Sequence, residues 1–358
     1  MINHFRIVFT LLCLFSTSYS CSIRQTDWPE DYQIKLDEDI TSSLEAEVME
    51  VSYGFPSAMA FFVYSDTVLV VVNYPKQDLS LVQLADIETG NILAGTLLYG
   101  NGPEEVLMII PMLREDVLYI SDPARKRLIS IDLDKLLKER ASFHPDVLVD
   151  YSTASLTPGG LLPLDKDIIL MANPYCFEDE DTGWSNIGQE RILFFNNGVI
   201  TNTNNKGIRY NTFNVNQGEF ATFPDHDRIF YASYYTPLIE IFDTEGNKLK
   251  RLHGPEDLSV EYYNDNGEII FNRDAPVAYP SIYQCGNSLY LNFVGDHLNS
   301  GHRNMKSTII QMNPEGKILN IYKCPVYLRF FNVTKHGIIY GQGYDENDTS
   351  ILLTMRNS

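Results

Sequence analysis

A repeated pair of short apolar strands is the feature that most constrains the fold of this 358-residue chain. Each first strand follows a turn rich in Asp, Asn or Gly and recurs after roughly 50–60 residues. The six first strands are 68–73, 117–122, 168–173, 229–233, 289–293 and 338–342. The second strand of each pair follows after a polar loop, and these strands are 81–84, 128–132, 192–195, 238–243, 308–312 and 351–354. Residues within them alternate as in half-buried strands. The repeat predicts an all-β, six-bladed β-propeller with four-stranded antiparallel blades.

The sequence also indicates how the ring of blades would close. The last repeat shows two recognisable strands before residue 358. A propeller removes its free edge by completing the last blade with a strand from the other terminus. We therefore expect an N-terminal strand, either 32–36 or 47–51, to close the last blade. One propeller domain would then span residues 31–358, interrupted by a short helical pattern at 133–141.

The first twenty residues are typical of a secretory signal. Arg6 precedes an apolar stretch at 7–15, and small residues follow at 16–20. Cys21 comes directly afterwards, in a position similar to that of the lipidated cysteine of bacterial lipoproteins. We predict a signal peptide at 1–20, lipidation at Cys21 and a polar tether over 21–30. Conventional cleavage and secretion is the alternative. No later stretch approaches ~18 consecutive apolar residues, so no transmembrane helix is expected in the mature protein.

The charge of the chain restricts its partners. With 27 Lys and Arg against 47 Asp and Glu, the formal net charge is −20 at pH 7. Such a chain repels nucleic acid and anionic lipid surfaces. We expect no nucleic-acid partner, contact with a membrane only through the lipid anchor, and a monomer.

Candidate binding residues lie in the loops on one face of the disc. Loops between the second and third strands of a blade lie on the same face as the links between blades, around the channel mouth. Tyrosine is frequent there, and its ring and hydroxyl suit sugars, peptides or aromatic small molecules. The ligand-binding candidates in these loops are Tyr74, Arg125, Arg127, Tyr175, Tyr235, His297, His302, Arg303 and Tyr344.

Metal and cofactor motifs are weak in this sequence. The loop with His297 and His302 could ligate a metal or form an acid–base pair, but it lacks a helical His spacing. The acidic run at 178–181 lacks the alternate-ligand spacing of calcium loops. We therefore expect no metal and no cofactor. Cys176, Cys285 and Cys324 have wide spacings, and free thiols are the preferred interpretation.

Two loop motifs carry a family resemblance. The sequence LYGNGPEE at 98–105 follows an outer strand, and a shorter version, LHGPED, occupies 252–257 three blades later. Together with the signal, Cys21 and the repeats, these motifs resemble the TolB-like six-bladed propeller lipoproteins of Bacteroidetes. The resemblance covers residue 30 to the end. It implies an exported lipoprotein anchored in the outer membrane, facing the periplasm or the cell surface, and says little about activity.

Two hypotheses for function follow. The first is a binding or scaffolding propeller that recognises a glycan, a peptide or an envelope protein at the channel mouth. The second is a lyase or hydrolase whose site is assembled from top-face loops. No GxSxG, HExxH, P-loop or dinucleotide motif is present, which favours the binding role, and no catalytic residue is predicted.

Overall fold

The computed structural model describes residues 31–358 except 103, 152–159, 165–167, 173–191, 197–198, 203–216, 259–261, 266–267, 272–273, 346 and 358. The first two strands of this part of the chain pair with strands that lie much later in the sequence. They are β1 (Asp31–Gln33) and β2 (Thr41–Met49). Cys21, Tyr175 and Cys176, together with the signal and tether, lie outside the described residues.

Four-stranded antiparallel sheets are the unit of the fold. The first sheet contains β3 (Ala58–Tyr64), β4 (Val68–Asn73), β5 (Val82–Asp86) and β6 (Ile92–Thr96). A parallel pair, β7 (Leu98–Tyr99) and β8 (Glu105–Val106), then forms the link to the next sheet. That sheet contains β9 (Ile110–Arg114), β10 (Val117–Asp122), β11 (Arg127–Asp132) and β12 (Asp146–Asp150). Helix α1 (Leu133–Glu139) follows β11 and begins at Asp132, whose carboxylate accepts the Lys135 amide at 2.8 Å.

The same pattern continues along the chain. The third sheet contains β13 (Gly160–Pro163), β14 (Ile168–Ala172), β15 (Ile192–Asn196) and β16 (Val199–Asn202). The fourth contains β17 (Gly218–Phe223), β18 (Arg228–Ser233), β19 (Leu238–Phe242) and β20 (Lys248–His253). Short pairs follow: β21 (Tyr262–Asp265) with β22 (Glu268–Phe271), and β23 (Pro276–Val277) with β26 (Asp296–His297). The remaining strands are β24 (Ser281–Cys285), β25 (Ser288–Phe293), β27 (Thr308–Met312), β28 (Ile318–Lys323), β29 (Phe330–Val333), β30 (Ile339–Tyr344) and β31 (Ser350–Asn357).

The sheets pack face to face because their strands carry apolar residues on both faces. In β4 every residue is buried. Val70 and Val72 belong to the same core cluster as Leu118 of β10, whereas Val71 packs in a second cluster with Leu352 of β31. Successive side chains of a strand point to opposite faces, so one strand fills two interfaces. Inner strands β13, β17, β24, β29 and β3 contact one another in that order. The all-β propeller predicted from the repeat is confirmed.

Buried amide side chains join neighbouring sheets. The Asn332 Nδ2 group donates to the Val63 carbonyl at 2.8 Å, and Asn332 Oδ1 accepts from the Val63 amide at 3.0 Å. Gln342 Nε2 donates to the Met59 carbonyl at 2.9 Å. Asn292 Nδ2 donates to the Leu328 carbonyl at 2.6 Å. These bonds explain why polar residues interrupt otherwise apolar strands, because each one satisfies backbone groups of the next sheet.

The N-terminal strands follow the outer edges of later sheets. Strand β1 pairs in parallel with β20, with Asp31 opposite Arg251. The first residues of β2 pair in parallel with β28, and Leu44–Met49 then pair antiparallel with β31, from Asn357 to Leu352. Of the two expected closing segments, 47–51 overlaps β2, which pairs with the last strand β31, whereas 32–36 overlaps β1, which pairs with β20 in another sheet. No helix in the described part of the chain is long and apolar enough to span a membrane.

Candidate functional site

A cavity of about 550 Å³ lies at the end of the channel where the inner strands begin. Its walls come from the first residues of several inner strands, including Ile110 of β9, Phe220 of β17 and Phe330 of β29. Met112 and Met305 add further apolar surface. The cavity therefore has mostly apolar walls assembled from sheets distant in sequence, as small-molecule sites commonly have.

Three nearly parallel rings form one wall of this cavity. The His302 ring lies 4.4 Å from the Tyr344 ring and 5.2 Å from the Tyr327 ring, measured between centroids. The corresponding interplanar angles are 12° and 5°. Burial, reinforced by the nearby Arg329, lowers the pKa of His302 below its ordinary value of 6.5. The imidazole is therefore mainly neutral at pH 7.

Arg329 supplies a positive charge to the cavity wall. Its Nη1 donates to the Tyr74 hydroxyl at 3.3 Å and to the Tyr344 hydroxyl at 3.5 Å. Burial disfavours the charged form, but these phenol contacts outweigh it and raise the pKa of Arg329. Among the ion pairs found in the described residues, none involves this guanidinium. Arg329 is thus a cation with neutral partners at an apolar cavity.

Glu219 brings an acid to the same cavity. Its Oε2 accepts a hydrogen bond from the Ile282 amide at 3.2 Å. Burial nevertheless raises the pKa of this carboxyl to about 7, because the single hydrogen bond offsets only part of the desolvation. The neighbouring Tyr234 also lines the cavity, and burial raises its pKa to about 12. Near neutral pH the carboxyl is divided between its two protonation states, while the phenol is neutral.

Three of the predicted residues meet at this cavity. His302 and Tyr344 line it directly, and Tyr74 reaches it through Arg329. Tyr235 is not among the lining residues, but its ring packs edge-on against that of Tyr234, with centroids 4.6 Å apart.

Two other candidates lie in the loop that carries His302, but they bond elsewhere. His297 Nδ1 lies 2.8 Å from the Asp274 carbonyl oxygen. Arg303 Nη2 donates to Asp348 Oδ2 at 3.3 Å. The structure therefore does not bring these two residues into the cavity lining. The described residues contain no group of three or more His, Cys, Asp or Glu arranged to hold a metal.

Arg125 and Arg127 hold the link between two sheets. Arg125 Nη1 donates to the Glu105 carbonyl at 2.8 Å, and Arg127 Nη2 donates to the same carbonyl. Asp122, which is fully buried, accepts from the Leu107 amide at 3.1 Å and lies 3.8 Å from Arg127. The two arginines therefore secure the loop that contains the 98–105 motif, and neither lines the cavity.

The loops at the channel mouth do not predict three of the cavity residues, which are Arg329, Glu219 and Tyr327. Glu219 is the only charged residue in the inner strand β17, whose sequence is GEFATF. A single charged residue in an otherwise uncharged inner strand is the sequence feature that could have indicated Glu219. Arg329 directly precedes β29, in a link between sheets, and nothing in the sequence distinguishes it from a solvated arginine.

Two solved structures from Bacteroides share this fold. A member of the DUF4221 family from Bacteroides vulgatus ATCC 8482 is 12% identical, with a TM-score of 0.54 over 88% of this chain and 97% of that chain. A candidate exported protein from Bacteroides fragilis NCTC 9343 is 10% identical, with a TM-score of 0.51 over 92% and 99%. At these identities the likeness shows the fold alone. No family model matches the chain, and no curated protein is significantly similar to it.

Proposed function

We propose that this chain is an exported β-propeller protein that binds a small organic anion with an apolar body at the channel mouth. The observation that carries the proposal is the Arg329 guanidinium, which faces an apolar cavity and whose hydrogen-bond partners among the described residues are phenol hydroxyls. A guanidinium presents five donors in a planar fork, a geometry that matches a carboxylate. An anionic ligand group would supply a counter-charge to this guanidinium.

The cavity's size and lining narrow the ligand further. A volume of about 550 Å³ falls in the range of about 300–1,000 Å³ that small-molecule sites occupy. The parallel rings of His302, Tyr327 and Tyr344 offer a flat surface against which a ring could stack. Apolar walls favour a hydrophobic body over a glycan. Recognition of a peptide or an envelope protein stays a prediction. The terminal carboxylate of a peptide would also match the Arg329 guanidinium.

Matched acids and amides test this proposal directly. We would measure binding of indole-3-acetate and indole-3-acetamide by calorimetry, within a wider panel of aryl and alkyl carboxylates and their amides. A charge-assisted hydrogen bond contributes about 1.5–3 kcal/mol, so each acid should bind about 10- to 150-fold more tightly than its amide. Arg329→Gln should abolish that preference.

The control is Arg356→Gln, which alters an exposed arginine that pairs with Glu47 at 3.4 Å. It should bind like the unmodified protein. Equal affinity for acids and amides, or an acid preference that survives in Arg329→Gln, would contradict the proposal.

Glu219 favours a second candidate function, an acid–base lyase or hydrolase. A carboxyl with a pKa of about 7 can both donate and accept a proton at neutral pH. If one of the panel molecules is converted, Glu219→Gln should still bind it but no longer convert it. Unchanged turnover in that variant would refute the enzymatic role for this residue.

We further propose that the sheets are six blades, with the eight-stranded sheet made of two blades joined through β2. In support, β24, β25, β27 and β28 form one four-stranded half, and β29, β30, β31 and β2 form the other. A ring closed in this way has no free edge between its first and last blades, which is consistent with a monomer. Membership of the TolB-like propellers remains a proposal alongside this blade count.

Export and lipidation also remain proposals. The signal-like residues 1–20 support export, and a structural relative from Bacteroides fragilis is named as a candidate exported protein. Acylation at Cys21 would anchor the protein in the outer membrane, facing the periplasm or the surface. Mass spectrometry of the native protein should find a lipidated cysteine as its first residue, and an unmodified N-terminus beyond Cys21 would exclude the anchor.

A further inference from the structure

A second arginine lies deeper in the channel than the cavity. Strand β9 runs from Ile110 to Arg114, and Ile110 and Met112 line the cavity. Arg114 follows two residues after Met112, which places it about 7 Å further along the strand. Its Nη1 donates to Thr222 Oγ1 at 3.1 Å. Thr222 lies on β17, two residues beyond the cavity residue Phe220.

This contact joins inner strands of two sheets that are not neighbours in the ring. Strand β9 belongs to the sheet before β13–β16, and β17 belongs to the sheet after it. Inner strands surround the channel, so a side chain that bridges β9 and β17 crosses part of it. Strand β9 also contacts β24. Arg114 and Thr222 therefore form part of a floor beneath the cavity.

The Arg114 guanidinium forms no ion pair with a described residue, although the exposed carboxylate of Glu115 acts on it electrostatically. Its Nη2 is buried and has no hydrogen-bond partner among the described residues. No ion pair found among the described residues includes it, and the adjacent Glu115 is exposed in the turn after β9. Burial lowers the pKa of Arg114 to about 10, which still leaves the group charged at neutral pH. A guanidinium that is removed from water without a close ion-pair partner is unfavourable.

Two further groups that act on Arg114 are neutral phenols. Tyr119 and Tyr283 are close enough to interact with it electrostatically, and burial raises the pKa of both phenols. Both are therefore protonated at pH 7. A guanidinium flanked by a threonine hydroxyl and two phenols presents hydrogen-bond donors and a positive charge, a set that suits an anion rather than a cation.

We propose that Arg114 and Thr222 form a binding site for a small monovalent anion in the channel floor. The ligand class is a halide or a carboxylate, because one guanidinium with a hydroxyl and phenols beside it offers a single positive charge and several hydrogen-bond donors. Two sources share this chemistry: a free ion from solution, or the carboxylate of a molecule bound in the cavity above. The site uses a different arginine from the channel-mouth site and does not depend on ligand binding there.

Chloride is the probe for the test, observed through the line width of its ³⁵Cl NMR signal. The unmodified protein should broaden this signal, and Arg114→Met should lose the excess broadening. Arg356→Met, which removes an exposed arginine, should retain it. In protein that already carries Arg329→Gln, and so lacks the channel-mouth guanidinium, Arg114→Met should still lower the remaining broadening, which separates this site from the channel mouth. Circular dichroism would establish that each variant is folded.

Two further measurements keep the proposal open to refutation. Thr222→Val preserves the Arg114 charge but removes its hydroxyl partner, so it should reduce the broadening even if Arg114→Met does not fold. Acetate added to the unmodified protein should displace chloride if the site accepts carboxylates, whereas broadening that survives acetate would identify a halide site. No excess broadening in the unmodified protein, or the same broadening in Arg114→Met, would overturn the proposal.

Discussion

Replacing Glu219 by Gln should change how the stability of the protein depends on pH. In the folded protein burial raises the pKa of this carboxyl from its ordinary 4.5 to about 7. Between these two values the folded state holds a proton that the unfolded state has released, so the free energy of unfolding falls as pH rises. The loss is complete once pH exceeds about 7. The pKa difference corresponds to a loss of about 3 kcal/mol in the free energy of unfolding.

Gln at position 219 keeps the shape of the side chain and an oxygen for the Ile282 amide, but it does not ionise. The variant should therefore become more stable relative to the unmodified protein as pH rises from 4.5 to 8, by up to about 3 kcal/mol. For a domain of this size that is about 4 °C in Tm. Urea unfolding at several pH values would measure it.

Glu88→Gln is the matched control, because Glu88 is exposed in the turn after β5. Its stability curve should run parallel to that of the unmodified protein. The reasoning would be refuted if the difference between Glu219→Gln and the unmodified protein were the same at pH 5 and at pH 8. That result would mean that the carboxyl is solvated well enough to ionise at its ordinary pKa.

Two other predictions concern the contacts between sheets. Asn332→Leu leaves the buried amide and carbonyl of Val63 without partners and should lower the free energy of unfolding by about 2–4 kcal/mol. Asn320→Leu, at an exposed position, should change it by less than about 0.5 kcal/mol, and equal effects of the two substitutions would argue against the role of Asn332. A chain that begins at residue 50 lacks β1 and β2, so the exposed edge of β31 should cause association in size-exclusion chromatography. A chain that begins at residue 31 should elute as a monomer, and the same elution from the shorter chain would contradict the edge argument.

The strands were predictable because their alternation is local. The expected strands 68–73 and 117–122 coincide with β4 and β10, and the helical pattern at 133–141 contains α1. The strand that pairs with β2 could not be predicted from the sequence in the same way. Both proposed closing segments alternate in the same way, and only tertiary packing decides that Leu44–Met49 lies against β31.

The site was predictable only where it is built from loops. Tyr74, His302 and Tyr344 were expected because the repeat identifies loops at the channel mouth. The sequence does not show whether a charged loop residue will bond to a backbone carbonyl of the link between sheets. Arg125 and Arg127 therefore look like ligand contacts in the sequence, whereas in the structure both donate to the Glu105 carbonyl. Tyr175 lies outside the described residues, so its role stays a prediction.

The pairing of β2 with β31 has a consequence for when the fold can form. It joins Leu44 to Asn357, so nearly all of the described chain lies between the two partners. Closing a loop of about 300 residues costs about 5 kcal/mol of chain entropy before any contact compensates. The ring therefore cannot be completed until synthesis reaches the last strand. If the chain is exported as proposed, this delay would keep it open during passage through a membrane, because the ring cannot close before β31 is available.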